Sequence, residues 1–221
     1  PRTDLVIFGF LPGIDGDVLT DSERFDDQKE LAVYGEVSYR FTDQAKLTLG
    51  YRRPDLELDS GVLRAVGPFA VGLSNAIGVP EGTQEDVNTY KFNFEYAFND
   101  DILAYVSGSS GYRAGGFNRG GLLSITANSA YESDSLWNYE LGIRTAWMEN
   151  RLTANAVAYF IDWSDIQLRS WDVTTASQRI QNAGKAEVFG LETEIRYQAT
   201  DNLGLSVNYA YTDASLTEDL L

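Results

Sequence analysis

Strict two-residue alternation is the feature that most limits what this chain can become. From Asn88 to Phe98 the even positions are Asn88, Tyr90, Phe92, Phe94, Tyr96 and Phe98, while Thr89, Lys91, Asn93, Glu95 and Ala97 fill the odd ones. From Trp137 to Trp147 the pattern recurs: Trp137, Tyr139, Leu141, Ile143, Thr145 and Trp147 alternate with Asn138, Glu140, Gly142, Arg144 and Ala146. Successive side chains of a strand point to opposite faces, so each run has one apolar and one polar face. A helix would scatter both sets around its axis. Leu31–Phe41, Ala45–Tyr51, Phe189–Tyr197 and Leu203–Tyr211 read the same way, and Asn155–Trp163 and Ile102–Tyr112 less cleanly. These make about eight strands, with a ninth candidate at Leu5–Phe10.

Several runs hold the alternation for roughly ten residues, the length a tilted strand needs to cross a bilayer and about twice that of an ordinary soluble strand. Short polar turns at Thr42–Gln44, Asn99–Asp101, Glu149–Asn150 and Thr200–Asn202 join neighbouring runs as hairpin tips. Between the hairpins lie long connecting segments, Asp59–Asp86, Gly115–Tyr131 and Ser170–Ile180, the first two rich in glycine. In an up-and-down sheet this sends every short turn to one end and every long loop to the other, the layout of outer-membrane barrels.

Composition removes several chemistries. Seventeen basic against thirty-three acidic residues leave a net charge of −16, so a phosphate backbone finds no basic surface and no nucleic-acid partner is expected. There is no cysteine and no histidine, which excludes a Ser-His-Asp triad, thiolate chemistry and an imidazole metal site within these residues. No stretch is long and apolar enough for a membrane helix: Gly61–Val79 is broken by Arg64, Pro68, Ser74 and Asn75. The opening PRTDLVIFGF does not read as a secretory signal.

The stretch SGSSGYRAGGFNRGG, Ser107–Gly121, invites three readings. A phosphate cradle would need a following Lys-Ser or Lys-Thr and a helix, and neither is present. An Arg-Gly nucleic-acid segment would repeat in a basic context. The remaining reading is a strand leaving the sheet into an outer loop, with Gly108, Ser109, Ser110 and Gly111 letting the wall bend or a packed object approach.

Four segments in order carry a resemblance: YRAGGFN (Tyr112–Asn118), YESDSLWNYELGIRT (Tyr131–Thr145), AYFIDWSDIQL (Ala158–Leu168) and NAGKAEVFGLETE (Asn182–Glu194). Each is similar to a barrel motif of TonB-dependent outer-membrane receptors of the siderophore-receptor-like group. The resemblance runs from about Leu31 to Thr212 and implies an all-β, antiparallel, up-and-down transmembrane barrel of roughly 22 strands closed around a plug. It covers part of such a barrel. The plug with its TonB-contacting box, and the aromatic that usually ends the last strand, are not among these residues, so the chain is expected to be a fragment.

The same resemblance implies a transporter rather than an enzyme, with no cofactor, carrying a large scarce solute such as an iron chelate. Its partners would be outer-membrane lipid, its own plug and, through the plug, the TonB complex. Arg113, Asn118, Arg119 and Trp171 are the candidates for ligand contact at the loop mouth. Glu36, Arg40, Glu95, Glu140, Arg144, Glu192, Glu194 and Arg196 are expected to face the lumen and plug, with Glu192 and Glu194 meeting cations such as Arg144 or Arg196 from other strands, or plug residues. Tyr90, Phe98, Trp137, Tyr139 and Trp147 are expected in the membrane girdles. Two rival readings share the alternation: a passive porin-like channel, and a soluble β-rich binding domain with its polar face in water. Asp162 and Asp165 resemble paired glycosidase carboxylates but suit a solvated loop mouth better. Asp15–Asp17 reads as a polar turn rather than a calcium loop.

Overall fold

The computed structural model describes residues 2–6, 18–66, 81–85, 87–118, 130–172 and 177–218. All its regular elements are strands: β1 (Arg2–Val6), β2 (Val18–Arg40), β3 (Ala45–Val66), β4 (Glu81–Glu85), β5 (Thr89–Asn99), β6 (Ile102–Arg113) and β7 (Gly116–Phe117). There follow β8 (Ala130–Tyr131), β9 (Asp134–Trp147), β10 (Leu152–Ser164), β11 (Gln167–Asp172), β12 (Ser177–Asn182), β13 (Lys185–Thr200) and β14 (Leu203–Leu216). Ten of them form one antiparallel sheet in the order β1-β2-β3-β5-β6-β9-β10-β13-β14, with β4 added beside β3. Each long strand pairs with its sequence neighbour, as the alternation of short turns and long connections requires. The pairs β7–β8 and β11–β12 form two small hairpin sheets of their own.

The four short turns close as the sequence suggests, each by local chemistry. Thr42 Oγ1 accepts from the N–H groups of Gln44 at 3.2 Å and Ala45 at 3.0 Å. Asn99 Oδ1 accepts from Asp101 N at 2.9 Å, and Thr200 Oγ1 from Asn202 N at 3.3 Å. Such side chains stand in for a backbone acceptor in a tight turn. The β9–β10 turn instead takes Met148, Glu149 and Asn150 through the left-handed region, with φ of 57°, 56° and 67°.

Register settles the faces. Leu47 lies opposite Phe94 and Tyr39, Val106 opposite Phe94 and Leu141, and Ala158 opposite Leu141 and Leu191. The apolar sides of successive strands therefore join into one continuous surface. No second sheet covers it among the described residues: Leu31 and Val33 are each 74% exposed, Leu141 64% and Val207 63%. A β-sandwich would bury this face.

Three boundaries differ from the sequence reading. β2 begins at Val18 rather than Leu31, and β3 runs to Val66, through residues assigned above to a loop. Pro54, Leu56, Leu58 and Ser60 are buried on one side of β3 while Asp55 and Glu57 are exposed on the other, so the alternation continues past the proline. The segment Ser170–Ile180 is mostly hairpin, not loop. The ninth candidate overlaps β1 only at Leu5 and Val6, since residues 7–10 lie outside the described part.

The small residues of the opening stretch find a specific use at Gly108. A Cβ there would sit 2.2 Å from Phe92 Cε1, because the Phe92 ring of the paired strand lies across it on the apolar face. The close approach is an aromatic from the wall itself, not an object packed in the lumen.

Candidate functional site

The polar face carries the charged candidates, cross-linked between strands. Lys91 Nζ is 3.0 Å from Glu36, and Lys46 Nζ 2.8 Å from Glu95, whose other oxygen accepts from Asn93 at 2.8 Å. Glu140 accepts from Asn138 at 2.7 Å and from the Tyr105 hydroxyl at 3.4 Å. The Arg144 guanidinium lies over the Tyr105 ring, 5.4 Å from its centroid. Glu194 is 2.5 Å from Arg196, and Asn155 donates to it at 3.5 Å. Glu194 thus meets Arg196, one of the two cations expected, but from its own strand two residues along rather than from a neighbouring one. Among the described residues, Glu192 and Arg40 are exposed and make no ion pair.

At the end away from the short turns, the four quoted segments converge into one hydrogen-bonded cluster. Its centre is Asp134, only 1% exposed. Arg113 holds Asp134 Oδ2 through Nη2 at 2.5 Å and Nε at 3.1 Å, and the Gln167 backbone N–H donates to the same oxygen at 3.2 Å. The Arg113 guanidinium also lies 5.5 Å from the centre of the Trp163 ring. The Gln167 side-chain amide donates to the carbonyls of Ala114 at 2.8 Å and Glu132 at 3.0 Å. Asn118 pairs with the Ile180 peptide, and Asn182 with the Glu132 N–H and C=O. Residues from β6, β9, β10–β11 and β12–β13 are locked together here, far apart in sequence.

The ligand candidates therefore separate. Arg113 and Asn118 are committed to bonds within the chain, and Asn118 is 8% exposed. Trp171, on the β11–β12 hairpin, is 62% exposed and free to meet a solute. Arg119 lies outside the described residues, as do Asp15–Asp17. Asp162 is an exposed residue near the end of β10, and Asp165 sits in the turn beyond it at φ 56°. Asp134, Gln167 and Asn182 were not singled out from the sequence, although each lies inside a quoted segment. Lys185 Nζ donates to Glu218 Oε1 at 2.9 Å, and this bond holds the pKa of the exposed ammonium above the ordinary lysine value.

Ordered motifs, open apolar face and rim cluster agree with a whole-chain match. A family model described as TonB dependent receptor-like, beta-barrel, matches residues 4–220. The chain belongs to this family. Members of this family are Gram-negative outer-membrane proteins, and these residues form part of the barrel wall.

Two relatives in Yersinia stand out. The pesticin receptor of Yersinia enterocolitica is 25% identical over 189 residues, which are 86% of this chain and 26% of that protein. The ferric yersiniabactin uptake receptor FyuA of Yersinia pestis matches in fold with a TM-score of 0.74 at 21% identity, covering 92% of this chain and 29% of that one. The alcaligin outer membrane receptor FauA of Bordetella pertussis matches at a TM-score of 0.61 and 15% identity, covering 93% and 32%. The chain spans about a quarter of the length of the curated relatives it matches.

Aromatics gather at both ends of the apolar face. Tyr90 stacks with Trp137 at 6.3 Å and Trp137 with Tyr139 at 5.8 Å, toward the rim. Phe98 and Trp147 lie on the same face beside the short turns, 57% and 48% exposed. Ten residues separate Trp137 from Trp147, roughly 33 Å along a strand.

Proposed function

We propose that this wall belongs to a receptor that takes up a ferric siderophore across the outer membrane, with TonB acting on a plug to release the ligand inward. The observation that carries this reading is the charged lumen face: it is built to meet a folded polar object. Glu140, Glu192, Glu194, Arg40 and Arg144 line it with groups that the wall itself only partly pairs. In this reading Glu36, Glu95 and Arg196 belong to the same lining. Trp171 and Arg119 are the residues proposed to touch the ligand, while Arg113 and Asn118 hold the frame of the rim. The named uptake of ferric yersiniabactin by a relative of the same fold supports an iron chelate as cargo.

Uptake of radiolabelled ferric siderophore tests this. Cells carrying the full-length receptor are expected to accumulate iron only when TonB is intact. Uptake that continues without TonB would favour the passive channel.

A further inference from the structure

We infer that Asn118 and Asn182 form a reciprocal clasp that makes the β6–β9 and β10–β13 outer connections one body, and that both are positioning residues for the ligand-presenting rim. Asn118 lies in the first connection and grips the second: its Nδ2 donates to Ile180 O at 2.6 Å, and Ile180 N donates to its Oδ1 at 2.5 Å. Asn182 lies in the second and grips the first: its Nδ2 donates to Glu132 O at 2.8 Å, and Glu132 N donates to its Oδ1 at 2.7 Å. A side-chain amide has the donor and acceptor of a peptide unit, so each pairing copies a rung of antiparallel ladder where no backbone could reach.

Two clasps in opposite directions do what one does not. A single two-point pairing leaves a hinge about its own axis. The second fixes the rotation, and Gln167 adds a third tie through the Ala114 and Glu132 carbonyls. Asn182 also donates to Asp165 O at 2.9 Å, which anchors the clasp to the end of β10. The parts so joined carry both β7–β8 and β11–β12, and with the latter Trp171. This goes beyond the uptake reading and rests on it only in taking the rim as the mouth of the ligand path.

Hydrogen exchange on the full-length receptor in detergent, without ligand, tests the clasp separately from the cargo. Asn118→Leu should speed exchange across 178–182, on the other connection, by roughly tenfold, and Asn182→Leu should do so across 130–133. Asn118→Asp keeps the acceptor and loses the donor, so it should fall between wild type and Asn118→Leu. Nitroxides attached through Ala130→Cys and Gln178→Cys should show one narrow distance distribution, broadened when both asparagines are replaced by leucine. Exchange at 178–182 as slow in Asn118→Leu as in wild type would overturn the inference. So would an unchanged distance distribution in the double variant.

Discussion

Tyr105 on β6 lies directly across from Gly142 on β9, and its ring occupies the space a side chain there would take: a Cβ on Gly142 would fall 2.2 Å from Tyr105 Cε1. Tyr159 and Gly190 repeat the arrangement between β10 and β13, with Tyr159 Cζ 2.1 Å from the added Cβ. A ring laid over a glycine covers exposed backbone and fixes its own rotamer. From that position the Tyr105 hydroxyl reaches Glu140 and its face receives Arg144.

Gly142→Ala is therefore expected to push the Tyr105 ring off its seat and release both contacts. The expected loss is about 1–3 kcal/mol. Urea unfolding of the full-length receptor in lipid vesicles measures it. Tyr105→Phe should cost less, since it removes only the 3.4 Å hydroxyl contact and leaves the ring in place. Equal stability of Gly142→Ala and wild type would contradict the packing.

Asp134 offers a second test. Replacing it with alanine leaves the half-exposed Arg113 and the Gln167 N–H without their shared acceptor. A loss of about 1–3 kcal/mol is expected, discounted for the water that reaches Arg113. Asp134→Asn keeps an acceptor oxygen and should lose less. Thermal melts of the two variants, compared side by side, give the order.

The lipid face predicts an asymmetry between sequence neighbours. Val207 lies on the apolar face and is 63% exposed, while Asn208 lies on the polar face. Val207→Arg should destabilise the folded barrel by about 2–4 kcal/mol, the cost of a guanidinium near the bilayer midplane. Asn208→Arg should be far milder. A sheet with water on both sides would tolerate the two alike.

Trp171→Ala should leave stability unchanged, because the ring is exposed and its loss uncovers no core. If it meets the ligand, binding of ferric siderophore to the purified receptor should weaken by roughly tenfold or more, the usual cost of losing an aromatic anchor. Unaltered affinity would remove Trp171 from the ligand path.

The wall was legible from local pattern alone. Alternation such as Trp137–Trp147 reports its own faces, because the two-residue period of a strand is a property of the backbone. Turn chemistry at Thr42, Asn99 and Thr200 is likewise contained in three or four adjacent residues. The four ordered motifs placed the chain in its family. Pairing then extended β2 and β3 well past the clean alternation, since a partner strand holds Asp26–Glu30 extended where composition does not. The rim was not legible. Asn118 and Ile180 stand 62 positions apart and Asn182 and Glu132 50 apart, so no local period records their contact. Arg113 looked like a free loop cation until the fold brought buried Asp134 against it. A side chain that bonds distant backbone acquires its role from the register of the strands beneath it, and that register exists only once the sheet has formed.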